Sequence, residues 1–158
     1  MQKITPCLWF DDQAEDAANY YLSIFKNSRI TNISRYGEGA PVPAGTALVV
    51  NFELEGVPFQ ALNGGPAFSF TEAVSFYVDA RTQDEIDELW AKLTADGGEP
   101  GRCGWLKDKY GLSWQIVPPV LGEYLADPDS EKSARVMQAM LAMDKIIIPE
   151  LQDAYDGT

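Results

Sequence analysis

The sequence contains no histidine. That absence removes the commonest general base at neutral pH and the commonest ligand of transition metals. Histidine-dependent catalytic triads, histidine-bearing zinc sites and haem held by histidine are excluded together. Cysteine is almost as scarce. Cys7 and Cys103 are two among 158 residues, too few for a disulfide scaffold, and they form no C-x-x-C pair. Positive charge is short as well, with 12 Lys and Arg against 24 Asp and Glu, for a formal net charge of −12. The densest basic stretch, Lys107-Asp108-Lys109, is interrupted by a carboxylate, so nucleic acid and anionic membrane surfaces are repelled rather than attracted. No apolar run is long enough to cross a bilayer. The opening Met1-Gln2-Lys3-Ile4-Thr5-Pro6 lacks the apolar stretch of a signal peptide and reads directly as a strand. The expectation is a cytoplasmic protein with no nucleic-acid or membrane partner.

What is present is an ordinary globular balance, 46% apolar and 23% charged, in a length that suits one domain with a real core. Residues 4–10 read as a strand, with Asp12 as the cap of a helix whose apolar positions Ala17, Ala18, Tyr21, Ile24 and Phe25 recur at helical spacing. Strands follow at 29–36, 46–54 and 57–62. A flexible Gly- and Pro-rich loop covers 37–45, and Glu55-Gly56 marks a tight hairpin. Residues 74–78 begin a second series. Thr82 caps its helix, Ile86, Leu89, Trp90 and Leu93 mark the buried face, and Gly97-Gly98 is the stop. Strands at 101–107 and 112–117 flank the turn Asp108-Lys109-Tyr110-Gly111, which leaves one strand short or unaccounted for. Beyond them, residues 130–143 place Ala134, Val136, Met137, Met140 and Leu141 on one helical face, and 150–155 can form a last short helix.

The chain also repeats itself. Gly56-Val57-Pro58-Phe59-Gln60-Ala61-Leu62 matches Gly111-Leu112-Ser113-Trp114-Gln115-Ile116-Val117 in character, position by position. Each heptad ends a strand–helix–strands unit. Each helix opens on Gln-x-Glu, Gln13 to Glu15 and Gln83 to Glu85, and each has an aromatic residue in its middle, Tyr21 or Trp90. Two βαβββ modules, at about 1–65 and 72–120, therefore make an α+β domain over 1–128, with 129–158 as a helical extension on the domain or a partner chain. Side by side, such modules form a half-open β-sheet cup in which Gln60 and Gln115 face each other across a pseudo-twofold.

These features resemble the vicinal-oxygen-chelate superfamily of glyoxalase I, bleomycin-resistance proteins and extradiol dioxygenases, and within it the PhnB-like branch labelled demethylubiquinone methyltransferase-like. The residues that carry the resemblance are 4–10, Leu62-Asn63-Gly64-Gly65-Pro66, Ser75-Phe76-Tyr77-Val78 and the long stretch from Cys103 to Pro118. Metal-dependent members place His or Glu at four strand positions, and the resemblance puts these at Thr5, at Ala73 or Ser75, at Gln60 and at Gln115. All are neutral here. Two amides and one or two hydroxyls hold a divalent transition metal weakly, so no metal and no cofactor is expected. The methyltransferase label finds no support in Gly37-Glu38-Gly39-Ala40-Pro41, which lacks a third Gly and runs into Pro rather than a helix.

The resemblance implies a cup lined by Thr5, Cys7, Trp9, Gln60, Ser75, Tyr77, Cys103, Trp105 and Gln115. That lining suits an apolar or aromatic ligand with one or two polar handles. It competes with a solid aromatic core, and the two glutamines equally suit a structural amide contact. Cys7 reads as inert core. Cys103, beside Arg102, is the better thiol candidate, though a structural role suits it too. Two ligand-directed functions stand at this stage, beside a third reading as an interaction module that acts through the C-terminal tail and has a filled cup. One is a metal-independent, homodimeric binding domain for an unidentified small organic molecule. The other is an isomerase or lyase using a weakly held metal, or an acid–base device of Tyr77, Gln115 and Asp108. Asp108 itself reads more simply as a turn residue.

Overall fold

A computed structural model describes residues 2–158; Met1 lies outside the described residues, and residues 2–6, expected to read as a strand, form none. The chain divides into two compact units, Met1–Ser69 and Phe70–Thr158. The first runs β1 (Cys7–Phe10), α1 (Ala14–Ile24), β2 (Arg29–Arg35), β3 (Ala47–Leu54) and β4 (Val57–Asn63). Its sheet has the order β1-β4-β3-β2, with β1 parallel to β4 and the other neighbours antiparallel. The second runs β5 (Ser75–Asp79), α2 (Gln83–Leu93), β6 (Glu99–Pro100), β7 (Trp105–Lys107) and β8 (Ser113–Val117), in the order β5-β8-β7-β6, again with its first and last strands parallel. The βαβββ repeat expected from the heptads is thus present twice, with one topology.

In the first unit, α1 buries Ala14, Ala17, Ala18 and Tyr21 and packs on β3 and β4. Tyr21 stacks on Phe52 and Phe52 on Phe59. Leu8, Phe10, Val50, Phe52, Phe59 and Ala61 share this buried side, since side chains alternate along each strand. The Glu55-Gly56 hairpin forms as expected. Both residues have positive φ, 49° and 79°, the requirement of a two-residue type I′ turn. Asp12 does not cap α1. The cap position falls on Gln13, which offers no side-chain bond. Instead Asn63, at the end of β4 and 5% exposed, accepts the Ala14 N–H at 2.8 Å and donates to the Ala47 carbonyl at 3.0 Å. A buried amide can serve a donor and an acceptor at once, which a carboxylate outside the strand cannot.

The second unit has shorter strands and more helix. Thr82 caps α2 by accepting the Glu85 N–H. The helix ends at Leu93 with Thr94 as its C-cap, earlier than Gly97-Gly98 suggested, because the Thr94 N–H and hydroxyl both return to the Trp90 carbonyl. The missing strand is the two-residue β6. The expected strand at 101–107 is mostly a turn, with Cys103 and Gly104 at φ 58° and 85°. Three helices follow: α3 (Pro119–Leu125), α4 (Ser130–Leu141) and α5 (Ile148–Asp156). Pro sits in the first turn of α3 and α5, where its missing N–H costs nothing. Asp129 caps α4 through the N–H groups of Glu131 and Lys132. The expected apolar face of α4 splits. Val136 is buried, with Ala139 and Met140 packed beside it and Met143 buried just beyond, at i, i+3, i+4 and i+7. Ala134, Met137 and Leu141 point outward. Val136 packs with Leu151, Met143 and Ile146 on Val117 and Leu121 of the same unit. Among the described residues, no helix is long and apolar enough to cross a membrane.

Candidate functional site

The strand registers sort the expected site residues within each unit. In the first, Cys7 pairs with Gln60, which pairs with Asn51 on its other side. Paired residues share a face, so Cys7, Trp9, Asn51, Gln60 and Leu62 lie on the face away from α1. Thr5 precedes β1 and is exposed; the strand begins at Cys7 rather than Ile4, although the Pro6 carbonyl already accepts the Gln60 N–H at 2.9 Å. Cys7 is exposed rather than core, because Leu8 and Phe10 take the buried side of this short strand. Partial burial of its thiol nevertheless raises its pKa and keeps it protonated at neutral pH.

Trp9 is fixed from behind. Its indole N–H donates to the Gly65 carbonyl at 2.9 Å, and its ring meets Phe68 edge-on at 4.9 Å. Gly64 makes this possible, because a Cβ there would lie 2.4 Å from the ring. The Asn63 carbonyl accepts the Tyr36 hydroxyl at 3.0 Å. Asn63-Gly64-Gly65 thus caps a helix, clears room for an indole and anchors it.

In the second unit, Tyr77 pairs with Gln115, Gln115 with Trp105, and Ser75 with Ser113. The side-chain amide of Gln115 donates to the Ser75 hydroxyl at 3.0 Å. Ser75 stands two residues before Tyr77 as Thr5 stands two before Cys7, so the register makes Ser75, not Ala73, the counterpart of Thr5. Leu106, Trp114 and Ile116 occupy the opposite, buried side, towards α2. Tyr77 is 57% exposed, and burial first, then the charge of Asp79, raises its pKa. Its hydroxyl therefore stays a donor throughout the neutral range. Cys103 is off this face, in the turn before β7, with its backbone N–H donated to the Met143 carbonyl at 2.8 Å.

Asp108 is committed to the fold. One carboxylate oxygen accepts the N–H groups of Tyr110 and Leu112, at 2.8 and 3.1 Å, and the other accepts the Trp114 indole N–H at 2.9 Å. The residue is 2% exposed. A general base needs a lone pair facing the proton it takes, and these oxygens face the chain's own donors. The sequence reading of Asp108 as a turn residue holds, with the Trp114 anchor added.

The donor set does not fit a metal. Thr5, Gln60, Ser75 and Gln115 bring no anionic or imidazole ligand, and the Gln115 amide already engages Ser75. Among the described residues, no group of three or more Cys, Asp or Glu is placed to hold an ion.

Paired βαβββ units with parallel outer strands define a protein of the glyoxalase-like fold. The family described as 3-demethylubiquinone-9 3-methyltransferase matches residues 2–117, and the chain belongs to that family. A PhnB protein from Bacillus cereus that bears the same methyltransferase label is 40% identical over 74% of this chain and 99% of its own, with a TM-score of 0.68. A protein from Pseudomonas aeruginosa shares the fold at 17% identity and a TM-score of 0.59, over 73% of this chain and 96% of its own. A gene product from Arabidopsis thaliana does so at 16% and 0.51, over 74% and 98%. No curated protein matches the chain.

Proposed function

We propose that the protein is a metal-independent binder of a small organic molecule, which lies on the sheet faces away from the helices. The observation that carries this reading is the make-up of the second unit's face. A neutral hydrogen-bonded pair, Gln115 and Ser75, stands beside an exposed phenol, Tyr77, and a half-buried indole, Trp105. Aromatic surface with a few fixed polar groups suits an apolar or aromatic body with polar handles. Trp9 and Gln60 offer the same chemistry in the first unit. The polar groups at Thr5, Gln60, Ser75 and Gln115 carry no charge with which an isomerase or lyase could stabilise an enediolate, Lys107 is held by Glu72, and Asp108 is spent on the turn. A methyltransferase role lacks its nucleotide cradle, since residues 36–46 run from β2 to β3 with no helix between. The reading includes a homodimer in the cytoplasm, supported by the outward Met137 and Leu141 of α4 and by two free thiols.

Tryptophan fluorescence titrations with a panel of small aromatic alcohols test it. Binding should quench Trp105, and Gln115→Leu should weaken it about five- to tenfold, the worth of one hydrogen bond. Elemental analysis of protein purified without an affinity tag supplies the opposite outcome. One transition metal per chain, lost in Gln115→Ala, would overturn the metal-independent reading.

A further inference from the structure

Deep on the second unit's open face lies a polar atom that the fold does not use. Ser113 is 1% exposed, and its hydroxyl is, among the described residues, the buried side-chain oxygen left without a hydrogen-bond partner. Such a group destabilises the fold when nothing satisfies it, and native proteins leave few of them. Ser113 lines a cavity of about 160 Å³ at the β6–β7–β8 end of the sheet, with Glu72, Glu99, Pro100, Trp105 and Lys107 around it. The volume is well below the roughly 300–1,000 Å³ of drug-sized sites. It has room for a head group rather than for a whole drug-sized molecule.

The charges select the head group. Lys107 is already neutralised by an ion pair with Glu72. That bond raises the Lys107 pKa and lowers that of Glu72, with Glu99 adding to the pull on the lysine. Glu99 leaves the rim with one negative charge in excess, on a chain of net charge −12. An anion would have to displace Glu72 and face Glu99. A cation finds the excess carboxylate, the indole of Trp105 for a cation–π contact, and a buried hydroxyl able to accept an N–H. Resting on the small-molecule reading above, we infer that this cavity is the head-group site for an organic ammonium, a primary or secondary amine carried on a small aromatic or alkyl body.

The test is an isothermal titration of the full chain with benzylammonium, benzyl alcohol and benzoate, three probes of one shape and three charges. Benzylammonium should bind about tenfold tighter than the alcohol, and benzoate weakest. Glu99→Gln should remove most of the preference for the cation, and Ser113→Ala should weaken benzylammonium about fivefold. Ser113→Ala should also raise the melting temperature of the free protein, because it deletes an unsatisfied buried group; a hydroxyl with a purely structural role would give the reverse. Equal binding of alcohol and ammonium, both weakened by Gln115→Leu, would overturn the cation site and leave the small-molecule reading standing. Binding of no probe by a folded protein would overturn both.

Discussion

The two units start from one plan and are stabilised by different means. The first closes on itself. Its strands are long, β2, β3 and β4 having seven, eight and seven residues, and a two-residue turn joins the last two. The second has strands of two, three and five residues in the same places. Where the first spends one neutral amide, Asn63, on its buried joint, the second spends a carboxylate, Asp108, with three donors around it. The short sheet of the second unit then leans on α3, α4 and α5. Gln83 shows how. The residue at the Gln-x-Glu start of α2 donates to the Ile146 carbonyl and accepts the Ile148 N–H, at 3.0 and 2.7 Å, so it ties the tail to the helix. Its counterpart, Gln13, is exposed. The lesson is that a duplicated unit can lose strand length and keep its topology if added helices restore the buried area.

The largest effect that can break this comparison is removal of residues 130–158. Val136, Met143, Ile146 and Leu151 would be lost and Val117 and Leu121 uncovered. At about 1.5–3 kcal/mol for each aliphatic side chain buried, the four lost residues amount to about 6–12 kcal/mol. That is comparable to the whole stability of a typical domain, about 5–15 kcal/mol. Hydrogen exchange should show the amides of β7 and β8 unprotected in the truncated chain while those of β3 and β4 stay slow. Equal protection of both sheets after truncation would mean that the tail is an ornament and that the second unit stands unaided.

The two buried joints sharpen the same contrast. Asp108→Ala strands two backbone N–H groups and an indole N–H, which at about 1–3 kcal/mol for each unsatisfied group should cost roughly 3 kcal/mol or more. Asn63→Ala loses the α1 cap and one donor to Ala47, for about 1–3 kcal/mol. Urea unfolding followed by far-UV circular dichroism measures both. A cost for Asn63→Ala equal to or above that of Asp108→Ala would reverse the ranking and show that the first unit depends more on its single amide.

Much of this architecture is legible in the residues alone, and the reasons differ by element. The equivalence of Gln60 and Gln115 comes from local periodicity and turn glycines, Gly56 and Gly111, both of which adopt positive φ. The cap of α1 is not legible, because its acceptor is 49 residues away on another strand. Asp12 satisfies every local rule and loses to a long-range amide. Cys103 was expected on a strand for a similar reason: Gly101-Arg102-Cys103-Gly104 has few apolar residues but sits between strand-like neighbours, and its turn is fixed by backbone bonds from Cys103 and Gly104 to Met143 and Asp144 in the tail. α3 is not legible, because Pro118-Pro119 looks like an end, whereas a proline in the first turn begins a helix. As for the candidate site, the shared face of Ser75, Tyr77, Trp105 and Gln115 follows from strand alternation, but the cavity beside Ser113 is lined by Glu72, Glu99, Pro100 and Lys107 from separate stretches of chain, which no periodicity announces.

The smallest effect lies in the tail that only the second unit possesses. The Tyr155 hydroxyl donates to an Asp127 carboxylate oxygen at 2.6 Å, and the other oxygen accepts the Asp129 N–H at 2.8 Å. These bonds, with Lys132 nearby, hold the Asp127 pKa below its usual range, while the Tyr155 pKa is raised, chiefly by the same bond. The sign follows from the linkage of proton binding to folding. A carboxylate whose pKa is lowered in the folded state adds stability above its unfolded pKa and gives it up as pH falls through the folded value. A phenol whose pKa is raised adds stability below its unfolded pKa and gives it up as pH rises through the folded value. Tyr155→Phe should therefore lower the melting temperature slightly at neutral pH, and the gap to the unaltered protein should close on acidification below the normal aspartate range and again in strong alkali. Because Tyr155 also stacks on Tyr124 at 4.3 Å and lies under Lys132, contacts that Phe retains, the substitution isolates the hydroxyl. A gap that stays constant from neutral pH into acid would show that the hydroxyl acts through packing and that the tail is held by its apolar cluster alone.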